Sequence, residues 1–187
     1  MKKARGLNQR QFSAQRGFTL VELIVVIIIL GVLSLAAVPR FTDRSGFSEY
    51  AFQQRLLGAL RNLQLKAMFD TRDDFCYRMV FVSSINGANE FGPTTASYLN
   101  GQQANSCGTS IDNTSEEFLR SQNNEIANEG IGMNALDGAL SISFVQFDNM
   151  GRPVSSAGSC ADNCSITFQG EDDARVCIAS EGFVYAC

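Results

Sequence analysis

The pattern of apolar and polar positions begins with one long apolar run. It extends from Phe18 to Val38, and the residues that interrupt it are Thr19, Glu22, Gly31 and Ser34. A helix needs roughly 20 apolar residues to cross the core of a bilayer. The run is therefore predicted to form a membrane-spanning helix.

Helical spacing continues after this run. Six apolar residues fall on one helical face, namely Phe52, Leu56, Ala59, Leu60, Leu63 and Ala67, while Gln53, Gln54, Arg61, Asn62 and Lys66 fall elsewhere. Pro39 has no N–H and should kink a helix that passes through it. Gly31 is a second position at which the helix is expected to bend. The pattern predicts one long kinked helix from Phe18 to Phe69, half transmembrane and half amphipathic.

The remainder of the chain has β-like segments. Aromatic and β-branched residues predict strands at 75–85, 140–147, 165–169, 175–180 and 183–186, with a turn at 148–153. Residues 86–114 are polar and predict a long loop, and Thr114 to Glu117 fits a capping box before a short helix. The predicted fold class is α+β, with an antiparallel β-sheet packed on the second half of the helix.

Charge is distributed unevenly along the chain. Residues 1–17 contain five basic side chains and no acid, whereas residues 81–187 contain three arginines and thirteen acids. Basic flanks stay on the cytoplasmic side of a membrane, so the part beyond Pro39 is expected outside the inner membrane. Nucleic-acid binding depends on clustered Lys and Arg, so this acidic part is not expected to bind nucleic acid.

Glu22 is exceptional because it is a carboxylate inside the apolar run. Such a group costs roughly 2.5 to 3.5 kcal/mol in a membrane helix, so it indicates a function and a partner. A secretory signal peptide would have a shorter apolar region and a small-residue cleavage site, for which residues 34–37 offer only a faint match. A plain membrane anchor would not explain Glu22.

The segment from Arg16 to Phe41, RGFTLVELIVVIIILGVLSLAAVPRF, resembles the N-terminus of type IV pilins and type II secretion pseudopilins. The resemblance implies the pilin fold and cleavage by a prepilin peptidase between Gly17 and Phe18, followed by N-methylation of Phe18. The cut would create a cationic amine four residues before Glu22. Glu22 would then pair with such an amine, its own or that of a neighbouring subunit, during assembly.

This resemblance also implies an organisation. Residues 1–17 are expected to be a cleaved cytoplasmic leader, 18–45 a transmembrane and assembly helix, and 46–187 a periplasmic head. The expected partners are other pilin subunits, the prepilin peptidase and an inner-membrane assembly platform. The protein would be in the bacterial inner membrane before assembly and in a pilus or pseudopilus afterwards.

A narrower resemblance involves residues 140–187. The strand followed by FDNMGRP and a terminal hairpin is similar to the minor-pilin and pseudopilin H group, including minor pilin C of the mannose-sensitive haemagglutinin pilus. This implies a minor pilin that initiates or caps assembly and supports surface adhesion. A secretion pseudopilin and a tip-displayed adhesin that binds ligands through its long polar loop are the alternatives.

Six cysteines lie beyond the apolar run, namely Cys76, Cys107, Cys160, Cys164, Cys177 and Cys187. An even number in an oxidising compartment predicts disulfides, with 15 possible complete pairings. Sequential pairing closes the smallest loops and is preferred, although the spacing of Cys160 and Cys164 is awkward within a strand.

Enzymatic chemistry has little support in the sequence. The chain contains no histidine, and no glycine-rich phosphate loop follows a strand. The cysteine spacing also differs from that of a zinc knuckle. We expect no catalytic residue, no bound metal and no cofactor. The acidic pair Asp172 and Asp173 is expected to be a solvated turn, with a calcium site as the alternative.

Overall fold

The structure, a computed structural model, describes residues 18–42, 45–70, 76–83, 89–94 and 107–187. The chain divides into two compact units, Met1–Asp43 and Arg44–Cys187. Gly17 and the predicted leader lie outside the described residues, and so do the junction at 43–44 and most of the predicted loop at 86–114. The continuity of the predicted long helix is therefore not tested.

The first unit contains helix α1, Leu20–Thr42. Its leucine, isoleucine and valine side chains from Leu20 to Leu33 are exposed. The backbone stays helical through Pro39 to Thr42, and the predicted kink at Gly31 and Pro39 remains a prediction. In the described ranges, no helix is both long enough and apolar enough to cross a membrane.

The second unit begins with helix α2, Ser45–Phe69. All six residues of the predicted apolar stripe, from Phe52 to Ala67, are buried. The helix packs on both sheets of the unit, which confirms that the stripe faces a β-sheet. Stacked rings of Phe52 and Phe168, with centroids 5.9 Å apart, lie in this contact.

The strands form two antiparallel sheets instead of the single predicted sheet. They are β1 Arg78–Val82, β2 Glu90–Pro93, β3 Gly132–Asp137, β4 Leu140–Ser141, β5 Phe144–Phe147, β6 Pro153–Ser155, β7 Cys164–Gln169, β8 Asp173–Ile178 and β9 Val184–Ala186. The four-stranded sheet has the order β2-β1-β5-β6, and the five-stranded sheet has the order β4-β3-β7-β8-β9.

The prediction of one strand across residues 140–147 was wrong. The N–H of Ile142 donates to the carbonyl of Ala135 in β3, whereas the carbonyl of Ser143 accepts the N–H of Phe81 in β1. The chain therefore changes sheets between these two residues. The apolar pattern continues across the change because both sheets bury their inner faces against the same core.

Two further predictions need correction. The segment predicted as one polar loop contains β2, which is paired with β1 from Met79 to Val82. The capping box at 114–117 does not form, because the Thr114 hydroxyl donates to Asp112 Oδ1 at 2.6 Å instead. A 3-10 turn at Glu117–Leu119 and a short helix α3, Glu125–Asn128, occupy that region.

The predicted turn between β5 and β6 is present. The N–H groups of Met150 and Arg152 donate to Asp148 Oδ1 at 2.9 and 2.8 Å, and Gly151 has a φ of 76°. Glycine adopts this left-handed backbone conformation without a steric penalty. The three predicted C-terminal strands are confirmed as β7, β8 and β9.

Candidate functional site

Helix α1 begins immediately after the predicted cleavage position. The carbonyl of Thr19 accepts the N–H of Leu23 at 3.3 Å, and the Thr19 hydroxyl oxygen lies 3.3 Å from the N–H of Glu22. Threonine at the N-cap with glutamate three residues later is the sequence pattern of a capping box. This function of Thr19 was not predicted, although the Thr-x-x-Glu spacing indicates it.

Glu22 lies in the first turn of α1 and is exposed. A carboxylate is favourable there because the N-terminal end of a helix carries a partial positive charge. Within the described ranges, no cationic side chain is paired with Glu22. The amine of Phe18, its predicted partner, would exist only after cleavage.

A row of polar side chains on α2 contacts the backbone of the C-terminal hairpins. Glu49 Oε1 accepts the N–H of Glu171 at 2.8 Å, and Gln53 Nε2 donates to the carbonyl of Arg175 at 2.6 Å. Further along, Arg61 and Gln64 donate to the carbonyls of Val184 and Gly182. Gln53 and Arg61 were predicted to lie away from the apolar stripe, and no function was predicted for this row. The members of this row recur at helical spacing beside the apolar stripe, and that spacing is the signal in the sequence that could have identified the row.

The six cysteines form three disulfides with the preferred sequential pairing. Cys76 pairs with Cys107, Cys160 with Cys164 and Cys177 with Cys187, and the Cα atoms are 5.7, 4.9 and 5.9 Å apart. The close pair is possible because Cys160 precedes β7 and adopts a φ of 53°. It therefore does not share a strand with Cys164.

One group of potential metal ligands lies together in the described part of the chain, namely Asp137, Cys160 and Cys164. Both sulfur atoms belong to the disulfide. Asp137 Oδ2 accepts the Ser155 hydroxyl at 2.7 Å and the N–H of Cys160 at 3.1 Å. These atoms therefore stabilise the loop before β7.

A groove of about 510 Å³ lies between the end of α2 and two turns, those joining β5 to β6 and β8 to β9. We call it the apolar groove, and its apolar walls are Leu65, Met68, Met150, Phe183 and Val184. Gln64, Gly182, Arg61 and Glu181 also line it. Phe183 stacks on Tyr185 with ring centroids 5.2 Å apart.

Comparisons with known proteins agree with the N-terminal motif. The family model described as the prokaryotic N-terminal methylation motif matches residues 12–38. The major component of the type IV narrow pilus, PilA5 of Thermus thermophilus, is 33% identical over 97 residues, which is 52% of this chain and 82% of that protein. No solved structure matches the chain.

The methylation motif includes the predicted cleavage position, and the similarity to PilA5 extends over most of that pilus subunit. Together with an apolar N-terminal helix and an α+β head, these matches establish the family. The chain belongs to the type IV pilin family.

Proposed function

We propose that this protein is a minor type IV pilin, a structural subunit that initiates or caps pilus assembly and supports surface adhesion. The observation that carries the pilin part of this proposal is the N-terminal motif, in which Gly17 and Phe18 precede a helix capped by Thr19 and carrying Glu22 in its first turn. This arrangement provides an assembly element.

Processing follows from the motif. A prepilin peptidase would remove residues 1–17 and methylate Phe18, and the assembly platform of the inner membrane would then recruit the subunit. The apolar side chains of α1 would hold the subunit in the inner membrane, with the head in the periplasm, until α1 packs among other pilin subunits. The new amine of Phe18 and the carboxylate of Glu22 would neutralise each other in that apolar environment.

The minor role rests on the sequence resemblance of residues 140–187 to the minor-pilin and pseudopilin H group. The five-stranded sheet ends in β9, and the Cys177–Cys187 disulfide joins that strand to β8. A few copies of such a subunit would suffice at a filament end, whereas a major subunit would be repeated along the whole fibre.

Subunit counting on purified pili tests this proposal. Quantitative mass spectrometry should find this chain at a small fraction of the abundance of the major subunit, and immunogold labelling should place it at filament ends. Labelling along the entire fibre would indicate a major subunit. Intact pili combined with a protein-secretion defect, after deletion of the gene, would favour the secretion pseudopilin instead. Normal piliation with loss of surface attachment alone would favour the tip-displayed adhesin.

A further inference from the structure

The apolar groove leaves large hydrophobic side chains in contact with solvent. The exposed fractions are 50% for Leu65, 42% for Met68, 67% for Met150 and 66% for Phe183. These residues come from one helix and two separate turns, yet they border one groove. A partner that covers this groove would bury the exposed apolar parts of these side chains, which is favourable.

Hydrogen bonds hold the groove in shape. Gln64 donates to the carbonyl of Gly151 at 2.7 Å and to that of Gly182 at 2.6 Å, which fixes both turns to α2. Arg61 donates through Nη2 to the carbonyl of Val184 at 2.8 Å. A partner would therefore meet a preformed surface and would lose little affinity to reorganisation.

The border of the groove carries one charge of each sign, because Arg61 and Glu181 both line it. Neither has an oppositely charged partner within the described ranges. A surface with one positive and one negative group beside an apolar centre allows a two-fold contact in which each cation faces the other copy's anion.

We propose that the apolar groove is an isologous contact between the heads of two copies of this chain. Met150 and Phe183 of each head would pack against the groove of the other, and Arg61 of each would face Glu181 of the other. A two-fold contact closes on itself, whereas a filament needs head-to-tail contacts. The proposal therefore adds a second mode of association and does not depend on the filament role.

Analytical ultracentrifugation of the head fragment, residues 44–187, tests this proposal. This unit is compact and contains the entire buried core and all three disulfides, so the fragment is expected to fold alone. We expect a weak dimer with a dissociation constant on the order of 0.1 mM, as befits a small interface. Met150→Ser should abolish it, whereas Leu140→Ser, at an exposed apolar residue of β4 outside the groove, should not.

Charge reversal provides the sharper test. Glu181→Arg should weaken dimerisation about tenfold, because two symmetry-related pairs change from attraction to repulsion. Glu181→Gln, which removes the attraction without adding repulsion, should weaken the dimer less, and added salt should weaken the wild-type dimer but not the Glu181→Gln dimer. Glu117→Arg, at an exposed position outside the groove, is the matched control and should leave the dimer unchanged.

Three results would overturn the proposal. They are a monomer at millimolar concentration, a dimer that survives both Met150→Ser and Glu181→Arg, and a dimer whose salt dependence is the same in the wild type and in Glu181→Gln. Thermal melting of every variant would separate loss of association from loss of folding. Processing and piliation are measured separately, so failure here leaves the proposed pilin function intact.

Discussion

The Nε2 atom of Gln64 lies 2.6 Å from the carbonyl oxygen of Gly182 and donates a hydrogen bond to it. The same amide donates to the carbonyl of Gly151 at 2.7 Å. Both glycines have positive φ, 98° and 76°, so each turn presents its carbonyl to α2 through a backbone conformation that other residues rarely adopt. One side chain thus joins the helix to both sheets.

Replacing Gln64 should destabilise the head. Gln64→Ala removes both hydrogen bonds and should lower the free energy of unfolding by about 2 kcal/mol, because two carbonyls lose a partly buried donor. Urea unfolding of the oxidised fragment 44–187 measures this. Gln54→Ala, at an exposed position of the same helix, should change stability by less than about 0.5 kcal/mol. An equal effect of both substitutions would show that the two hydrogen bonds of Gln64 make no special contribution to stability.

Gly170 has no room for a side chain. A Cβ atom there would overlap Glu49 Oε1, which accepts the N–H of Glu171, and the Glu49 side chain is buried. Gly170→Ala should therefore destabilise the head by about 2 kcal/mol or more, since a buried carboxylate loses its donor.

The matched control for Gly170 is Gly58, an exposed glycine within α2 whose added Cβ would meet no atom within 4 Å. Gly58→Ala should stabilise the head by about 0.5 to 1 kcal/mol, because alanine loses less backbone entropy in a helix. Thermal denaturation of both variants should show shifts of opposite sign. A stable Gly170→Ala protein would contradict the described contact with Glu49.

The ion pair between α2 and α3 should make stability depend on pH. Arg55 Nη1 lies 2.9 and 2.7 Å from the two carboxylate oxygens of Glu125. Burial alone would raise the pKa of Glu125, but hydrogen bonds from Arg55 and from the N–H of Gln122 hold that pKa below its ordinary value. The stabilisation is therefore fully present above the unfolded-state pKa, roughly 4.3, and is lost as the pH falls through the folded-state pKa.

Glu125→Gln should reveal this dependence. At neutral pH the variant should be less stable than the wild type by about 1 kcal/mol, a value limited by partial exposure of the pair. The difference should disappear under strongly acidic conditions, where both proteins carry a neutral side chain. Glu117→Gln, at an exposed acid, should show no such dependence. A difference that stays constant down to the acid limit would contradict the assigned pKa direction.

The apolar stripe of α2 was predictable because burial follows the 3.6-residue period of a helix. The strands near the C-terminus were predictable because their aromatic and β-branched residues stand out locally. Strand β3 was missed because it buries only Met133 and Ala135, beside the weak strand formers Gly132 and Asn134. Its position is determined by pairing with β7, a contact that the local sequence does not encode.

The partners of the polar row on α2 could not be predicted for a similar reason. Gln53 and Glu49 bond to backbone atoms 122 positions later in the chain. The sequence shows that these residues are polar, but it does not show which distant carbonyl or N–H will lie beside them. The disulfide pairing was easier to predict because short loops favour sequential partners. The bond of Cys160 forms because this residue lies outside the strand.

Glu22 should matter for assembly and not for processing. Glu22→Val removes the only carboxylate from residues 18–42, so cleavage after Gly17 should proceed while recruitment into filaments falls sharply. Val21→Ile, at the adjacent position, should leave both steps unchanged. Shear fractions and cell envelopes from a strain without the wild-type copy would be compared by immunoblot, and normal filament incorporation of the valine variant would refute an assembly function for Glu22.

The mass of the mature N-terminus is the most direct test of the proposed pilin function. The protein purified from cells should begin at Phe18 and carry one methyl group on the Phe18 amine, and a Gly17→Leu variant should keep residues 1–17. A mature chain that begins at Met1, that is cut within residues 34–37, or that lacks the methyl group at Phe18 would contradict the proposed function.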